Sequence, residues 1–199
     1  MKKIIFPLFA IVLFVSLISC EAELEELEDY NTKNYTLLNQ DSVIVEFPTL
    51  LEGNIGIMGY IFTNCPDICP ITTNNMRRIQ DSLKSKNITN VKFVSISFDV
   101  ETDRPSVLKE FTQVRNLDLS NWQFLTGKKE TIDELMKKVG VVAFKGDSTV
   151  FEDGSKSIYY VHTDRIQLVD KNGILRRNYI GSKLRMDEIM NDIQTLKEE

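Results

Sequence analysis

The sequence predicts an α/β domain in which helices cover both faces of a central mixed sheet. Three observations favour this class. Two runs of strand length, residues 55–62 and 91–98, are apolar enough to be buried strands. Each run is followed by a stretch with helical spacing of apolar residues, as expected when helices connect neighbouring strands. Near the C-terminus, Asn172-Gly173 is a strong signal for a tight turn between antiparallel strands, so the sheet contains both strand directions.

The other elements are predicted from apolar spacing and from turn and capping residues. The predicted strands are an N-terminal hairpin, 35–47, with its turn at 39–42, and the segments 55–62, 91–98, 122–125, 166–169 and 174–180. The predicted helices are 71–83, with Pro70 in the first turn, 106–114, with Ser106 as a cap, 131–139, ending at Gly140, and 186–196. Residues 141–160 contain two glycines and predict an extended loop or an inserted hairpin.

The first nineteen residues are typical of a signal peptide. Lys2 and Lys3 precede an apolar stretch that is too short for an ordinary membrane-spanning helix. The stretch ends in Leu17-Ile18-Ser19-Cys20, which resembles the lipobox of bacterial lipoproteins, and this resemblance implies that Cys20 is lipidated. The alternative is an ordinary cleaved signal in which Cys20 has no function. We predict a signal peptide at 1–19, an acidic lipid-anchored tether at 20–33 and one folded domain at 34–199.

Charge and length exclude several classes of function. Six acidic residues fall between positions 21 and 29, which is typical of a solvated, self-repelling tether. The formal net charge is −5 and becomes −7 without Lys2 and Lys3, and no basic stripe is present, so we predict no nucleic-acid partner. About 170 residues after the tether suffice for one well-buried domain. Such a domain does not depend on a disulfide for stability, so its cysteine pair is available for another use.

Cys65, Cys69 and His162 are the residues most informative about function, because the chain has only three cysteines and one histidine. Two thiolates and one imidazole suit Cu(I). Cys65 and Cys69 lie between a predicted buried strand and the following helix, where reactive groups of α/β proteins gather. A helix N-terminus stabilises a thiolate, so we expect a lowered thiol pKa, which favours both metal binding and disulfide exchange. The spacing of the two cysteines permits a shared metal or a disulfide.

Three segments closely resemble the Sco/SenC family of thioredoxin-like copper proteins over most of the domain. Residues 62–70, FTNCPDICP, are similar to the family's signature, which has three residues between its cysteines. Residues 95–105, SISFDVETDRP, resemble the second motif, an aspartate after a core strand followed by another aspartate and a proline. Residues 161–170, VHTDRIQLVD, resemble the third motif, which carries a histidine ligand. The resemblance implies a thioredoxin-like fold, to which the residue pattern adds the N-terminal hairpin and the inserted loop or hairpin before the histidine.

The same resemblance implies a site and a function. Cys65, Cys69 and His162 would hold one copper ion as Cu(I) or Cu(II). Asp99 would not bind the ion but would orient one of its ligands or tune the site. Family members help to assemble the copper centre of cytochrome c oxidase by delivering copper, by reducing the receiving cysteines, or by both. We therefore expect a metallochaperone rather than an enzyme, lipid-anchored in the bacterial cell envelope with its domain outside the cytoplasm. Its partner would be the copper-receiving subunit of cytochrome c oxidase, or another copper or thiol protein.

The residues alone leave other interpretations open. Cys65 and Cys69 would also serve a metal-free thiol–disulfide oxidoreductase, or form a plain structural disulfide. A peroxidase is a third alternative, because Thr63 lies near Cys65 in the sequence, but it ranks below the others since no arginine partner can be named. Asp99 and Asp103 are also typical of strand ends and helix caps. Packing in the core is the preferred interpretation for the methionines and large aromatic residues Met58, Tyr60, Phe62, Met76, Phe93, Trp122, Met136, Met186 and Met190.

Overall fold

Ten strands and four α-helices make up the described part of the chain, residues 23–66, 68–150 and 156–199 of a computed structural model. The strands are β1 (Glu28–Asp29), β2 (Tyr35–Asn39), β3 (Ile44–Phe47), β4 (Ile55–Ile61), β5 (Val91–Ser97), β6 (Trp122–Thr126), β7 (Ala143–Val150), β8 (Lys156–His162), β9 (Ile166–Val169) and β10 (Ile174–Tyr179). The helices are α1 (Ile68–Ser85), α2 (Pro105–Val114), α3 (Lys129–Lys138) and α4 (Met186–Glu198). Short 3₁₀ turns lie at Tyr30–Thr32 and Thr49–Leu51.

Eight of these strands form one mixed sheet in the order β1-β10-β9-β4-β5-β6-β2-β3, and β7 and β8 form a separate hairpin. β4, β5 and β6 are parallel neighbours connected by α1 and α2. Every residue of β4 is buried, which is why residues 55–61 carry no charged or strongly polar side chain. Because the three parallel strands share one direction, the loops after β4 and β5 emerge at the same edge of the sheet. The predicted central mixed sheet is confirmed.

The residues that the sequence assigned to packing lie in the core. The aromatic residues Tyr60, Phe62, Phe93 and Trp122 are each 2% exposed or less. The methionines Met58, Met76, Met136 and Met190 are buried, and Met186 packs against the core from a partly buried position. The packing interpretation is therefore confirmed for both groups.

Helix α1 begins at Ile68, three residues before the predicted start, so Cys69 lies in its first turn. Pro70 is tolerated there because first-turn amides have no partner within the helix. The helix packs directly on β4 through Met76: a Cβ built on Gly59 would lie 2.4 Å from the Met76 sulfur. A larger residue at position 59 would have to displace the Met76 side chain from the core. The close contact fixes the helix that carries Cys69 against the end of β4.

Helix α2 begins with Pro105, after Arg104 in extended backbone. The prediction that Ser106 caps this helix is wrong, because Pro105 starts it one residue earlier. Proline suits that position, since its fixed φ is already helical and its missing N–H would have no partner there. The start at Pro105 leaves Asp103 in the loop that joins β5 to α2.

Strands β7 and β8 form the inserted hairpin, whose last residue is His162. Ala143 pairs with His162 and Phe144 with Val161, so the histidine belongs to a strand. Alternate residues of a strand point to opposite faces. Phe144 and Val161 are accordingly exposed, whereas Tyr160 and His162 pack against aromatic rings at the edge of the large sheet. Of the two predicted possibilities, loop or hairpin, the hairpin is confirmed.

The acidic N-terminal segment is part of the fold from Leu24 onward. Leu24 and Tyr30 are buried, and β1 pairs with β10. Arg176 donates hydrogen bonds to the Leu24 carbonyl oxygen. The domain boundary that the sequence placed at residue 34 therefore moves to about Leu24, and residues 24–33 are not a solvated tether. The predicted signal peptide, 1–19, and Cys20 lie outside the described residues. Within the described ranges, no helix combines the length and apolar character needed to cross a membrane.

Candidate metal centre

Cys65 and Cys69 come from the junction between β4 and α1. Cys65 is half-buried in the loop after β4, and its backbone N–H donates to the Phe62 carbonyl oxygen at 3.2 Å. Cys69 is buried, and its backbone N–H donates to the Cys65 Sγ at 3.4 Å. No disulfide joins the two sulfurs. Because amides at a helix N-terminus carry partial positive charge, this contact suits a thiolate or a metal-bound sulfur.

His162 reaches the cysteines from the end of β8. Its Nε2 lies 3.6 Å from the Cys69 Sγ, and its Nδ1 lies 3.1 Å from the Thr163 carbonyl oxygen. A carbonyl oxygen only accepts, so in the neutral ring Nδ1 carries the hydrogen and Nε2 presents its lone pair to the sulfur. The ligand atoms of Cys65, Cys69 and His162 all lie within 4.8 Å of one another. The fold thus brings the three predicted ligands together, although 93 positions separate Cys69 from His162.

This triangle of ligand atoms has a suitable size for one metal ion. Metal–sulfur bonds of about 2.3 Å, as in zinc thiolates, separate two sulfurs by about 4 Å in a trigonal site. Thiolate sulfur and imidazole nitrogen are donors that suit Cu(I), and a site with three ligands leaves room for an entering thiolate. The arrangement can therefore hold a soft ion and exchange it. The same two sulfurs can also close a disulfide.

Aromatic rings form an apolar wall beside His162. The His162 ring centroid lies 5.1 Å from that of Phe98 and 5.9 Å from that of Phe62, which it meets edge to face. Tyr160 completes the cluster at 5.0 Å from Phe62 and 5.4 Å from Phe98. The sequence predicted Phe62 to be a core residue, and the structure adds its contact with the histidine. The wall restricts the imidazole and lowers the local dielectric around the ligand atoms.

The pKa values of two candidate ligands are shifted. The hydrogen bond with Cys65, together with burial, raises the pKa of the Cys69 thiol. Burial lowers the pKa of His162, but the hydrogen bonds with Cys65 and with the Thr163 carbonyl outweigh burial, so the net pKa is raised. The expectation that the helix N-terminus lowers the thiol pKa is wrong for Cys69, because this thiol is buried beside a second one. A cation between the sulfurs favours their deprotonated forms.

Asp99 reaches the site through Tyr160, a residue that no sequence motif indicated. Asp99 is 4% exposed, and its carboxylate accepts a hydrogen bond from the Tyr160 hydroxyl at 3.0 Å. Burial and the charge of Asp99 raise the pKa of Tyr160, so the hydroxyl keeps its proton and donates it. Tyr160 lies two residues before His162, on the same face of β8. Asp99 therefore holds the strand of the histidine, and the two-residue spacing is the signal that could have identified Tyr160.

Asp103 holds the loop that carries Cys65. Its buried carboxylate accepts hydrogen bonds from the Thr63 backbone N–H at 3.0 Å, the Thr63 hydroxyl at 2.5 Å and the Ser97 hydroxyl at 2.5 Å. Burial raises the pKa of Asp103, although these bonds lower it. The interpretation of Asp103 as a helix cap is wrong, since Arg104 occupies the N-cap of α2. The Thr63 hydroxyl, on which the peroxidase alternative depended, is engaged by this carboxylate.

Comparison with known protein families and curated proteins gives a match over nearly the whole chain. The model of the SCO1/SenC family matches residues 25–198. The SCO1 protein homolog of Bacillus subtilis strain 168 is 32% identical over 196 residues, which cover 97% of this chain and 97% of that protein. The match therefore includes both cysteines, the histidine and the hairpin that carries it.

Solved structures share the fold. BsSco, described as a member of the Sco family of cytochrome c oxidase assembly proteins with a disulfide switch, is 31% identical and has a TM-score of 0.67, over 87% of this chain and 97% of its own. Bradyrhizobium japonicum ScoI, solved with copper bound, is 22% identical and has a TM-score of 0.68, over 86% of this chain and 99% of its own. The predicted thioredoxin-like α/β fold is confirmed.

Proposed function

This chain belongs to the SCO1/SenC family, and from that premise we propose that it is a copper metallochaperone. Cys65, Cys69 and His162 bind one copper ion, which the protein delivers to the copper centre of cytochrome c oxidase. The observation that carries this proposal is that the three ligand atoms all lie within 4.8 Å of one another. The relationship to BsSco, a member of a family of cytochrome c oxidase assembly proteins, supports the oxidase as the destination.

Copper and protons compete for the same ligand atoms. Binding displaces a proton from each thiol, while Nε2 of His162 is already directed at the site by the hydrogen bond of Nδ1 to Thr163. During transfer, a thiolate of the acceptor bonds to copper as one sulfur of this protein leaves and takes up a proton. The number of copper–ligand bonds therefore stays nearly constant through the transfer.

Anaerobic titration of the reduced protein with Cu(I), against a chelator of known affinity, tests this proposal. We expect one equivalent of copper to bind to the wild type and none to be retained by Cys65→Ser or Cys69→Ser. His162→Ala removes one of three ligands and should weaken binding at least roughly tenfold, equivalent to about 1.4 kcal/mol. Cys20→Ser is the matched cysteine control and should bind as the wild type does. Failure of the wild type to retain copper would refute the proposal.

A thiol–disulfide reductase is the second candidate function. The hydrogen bond from the Cys69 N–H to the Cys65 Sγ favours it, because helix N-terminal amides stabilise an attacking thiolate. In this reaction the Cys65 thiolate attacks a disulfide of the partner and forms a mixed disulfide. Cys69 then attacks the Cys65 sulfur, so this protein becomes oxidised to a disulfide while the partner gains two electrons and two protons as a dithiol.

His162→Ala separates the two functions, because the reductase reaction does not require an imidazole. We expect the variant to retain dithiol oxidation while it loses copper affinity. The decisive comparison is the rate at which wild type and variant reduce a disulfide in a copper-acceptor peptide. Equal reduction rates, with copper retained by neither protein, would favour the reductase over the metallochaperone.

We further propose that Cys20 is lipidated and anchors the protein to a membrane of the bacterial cell envelope, with the domain outside the cytoplasm. The apolar stretch that ends in Ser19-Cys20 supports this assignment. Two acyl chains on one cysteine meet the requirement for stable anchoring. Cell fractionation should find the wild type with membranes and Cys20→Ser in the soluble fraction, and mass spectrometry should detect the modified N-terminal peptide. Membrane retention of Cys20→Ser would contradict the assignment.

A further inference from the structure

We propose that Asp164 is a positioning residue that fixes His162 relative to Cys69, an inference that rests on the copper site proposed above. Asp164 lies in the segment between β8 and β9. Its two carboxylate oxygens accept from the Ser182 backbone N–H at 3.0 and 3.1 Å, and Oδ2 also accepts from the Ser182 hydroxyl at 2.5 Å. Oδ1 accepts from the Thr72 hydroxyl at 3.2 Å. We call Asp164, Ser182 and Thr72 the Asp164 clamp.

The clamp includes the helix that carries Cys69. Thr72 lies three residues after Cys69 on α1, so the two side chains share one face of the helix, and Thr72 is buried. One turn further along, the Asn75 side-chain amide donates to the Gly181 carbonyl oxygen at 2.8 Å. Helix α1 is therefore held at two successive turns, at Thr72 by Asp164 itself and at Asn75 by the segment whose Ser182 also binds Asp164. The clamp thus connects the histidine segment to the cysteine helix.

Gly181 shows how closely these segments approach. A Cβ built on this glycine would lie 2.5 Å from the Asp164 Oδ1 and 2.8 Å from the Thr72 Oγ1. Both distances are too short for non-bonded atoms, so a larger residue must displace the Asp164 carboxylate or the Thr72 side chain. Gly181→Ala therefore disturbs the clamp without removing any of its hydrogen-bonding groups.

The clamp controls His162 because only one residue, Thr163, lies between them. The Thr163 N–H donates to the Val142 carbonyl oxygen at 2.9 Å, and the Thr163 carbonyl accepts from Nδ1 of His162. Asp164 fixes the far end of this short segment and thereby the carbonyl that orients the imidazole. Groups that orient a metal-ligating histidine typically change metal affinity roughly 10–100-fold when they are removed. We expect an effect of that size here.

Cu(I) affinity, measured anaerobically by chelator competition, tests the clamp. Asp164→Ala should bind Cu(I) roughly 10–100-fold more weakly than the wild type. Asp164→Asn should lose less, because its amide oxygen still accepts from Ser182. Gly181→Ala should also weaken binding although the carboxylate is intact. Asp81→Ala is the matched control, since it removes an exposed carboxylate from α1 away from the site, and its affinity should equal that of the wild type.

The His162→Ala background distinguishes positioning from general destabilisation. If Asp164 acts through His162, Asp164→Ala has no further effect on Cu(I) affinity in that background. Equal losses in both backgrounds, or wild-type affinity of Asp164→Ala, would overturn the inference while copper binding by the wild type still stands. A wild type that retains no copper would refute the proposed function itself, and this inference with it.

Electron paramagnetic resonance of the Cu(II)-loaded proteins provides a second readout that a purely structural role would not change. Nitrogen hyperfine coupling reports the imidazole bound to the ion. We expect this coupling to change in Asp164→Ala and to be retained in Asp81→Ala. Identical spectra of wild type and Asp164→Ala would contradict the positioning role.

Discussion

Two buried carboxylates in the loop after β5 support different parts of the metal centre. Asp103 supports the loop of Cys65, and Asp99 supports the strand of His162. Asp103 accepts three hydrogen bonds, two of them from Thr63 in the loop of the first cysteine. Asp99 accepts one from Tyr160, which precedes His162 by two residues. Buried polar groups without partners destabilise the folded state, so both carboxylates favour one arrangement of their donors. This loop therefore contributes to the distance between the cysteine segment and the histidine strand.

Asp103→Ala should lower the free energy of unfolding by about 3 kcal/mol, because it leaves the buried Ser97 hydroxyl and the half-buried donors of Thr63 without their acceptor. Urea unfolding followed by tryptophan fluorescence measures the change. Asp118→Ala is the control, since that carboxylate pairs with Lys84 at an exposed site and should contribute less than about 1 kcal/mol. Equal losses in the two variants would contradict the role given to Asp103.

Copper affinity should fall more steeply with decreasing pH once His162 becomes protonated. The net pKa of His162 is raised above the ordinary histidine value, so protonation removes this ligand at a higher pH than in an exposed histidine. Below that pKa, copper displaces about one additional proton per ion. The measurement is the slope of log affinity against pH for the wild type and His162→Ala. Identical slopes on the acidic side would count against the imidazole as a ligand.

At the scale of elements, the β7–β8 hairpin is attached to the domain through the face that carries Tyr160 and His162. The hydroxyl of Tyr160 binds Asp99, and its ring packs on Phe62 and Phe98. On the opposite face, the described side chains of Phe144, Tyr159 and Val161 are exposed. The position of the histidine strand therefore depends on a few contacts along one face of the hairpin.

Tyr160→Phe should loosen the hairpin while keeping the ring in place. Loss of one hydrogen bond to a carboxylate should lower the free energy of unfolding by about 1.5 kcal/mol and speed amide hydrogen exchange in β8. Tyr159→Phe removes the same hydroxyl from the adjacent, exposed residue and should change neither quantity. Exchange rates that respond equally to both substitutions would argue against the Asp99 contact as the attachment.

At the scale of the whole molecule, Arg176 joins both ends of the described chain. Its buried guanidinium donates to the Leu24 carbonyl oxygen, to the Asp170 carboxylate at 2.9 Å and to the Glu199 carboxylate at 2.7 Å. Buried ion pairs need such additional hydrogen bonds to offset desolvation. The N-terminal segment, the β9–β10 turn and the end of α4 are therefore stabilised by one side chain.

Arg176→Ala should lower the free energy of unfolding by about 3–5 kcal/mol, because it leaves buried carboxylate charge without a partner. The adjacent Arg177 provides a matched control. It pairs with Asp192 from a side chain that is 44% exposed, so Arg177→Ala should lose only about 1 kcal/mol. Urea unfolding compares the two variants, and Cu(I) affinity should be unchanged in both. Similar stabilities would show that Arg176 is not the dominant connection.

The elements and the three candidate ligands were predictable because each leaves a local signal. Strand β4 is apolar throughout, and a single histidine leaves no competing imidazole. The partners of Asp103 and Asp164 were not predictable, because Thr63 and Ser182 lie 40 and 18 positions away and meet them only when loops pack together. The docking of the N-terminal segment was missed for another reason. Strand β1 pairs with β10 through backbone groups, and the acidic side chains of this segment give no sign of that pairing.

The buried position of Leu24 limits how far the domain would stand from a bilayer if Cys20 carries the proposed lipid anchor. Three residues separate Leu24 from Cys20, and a chain of that length spans at most about 14 Å when fully extended. With the proposed acyl chains in place, the height of the metal centre above the lipid headgroups depends on the dimensions of the domain itself, since hardly any linker remains to vary it. An acceptor whose thiols lie at a different distance from the membrane could not contact the metal centre, whatever its affinity for copper.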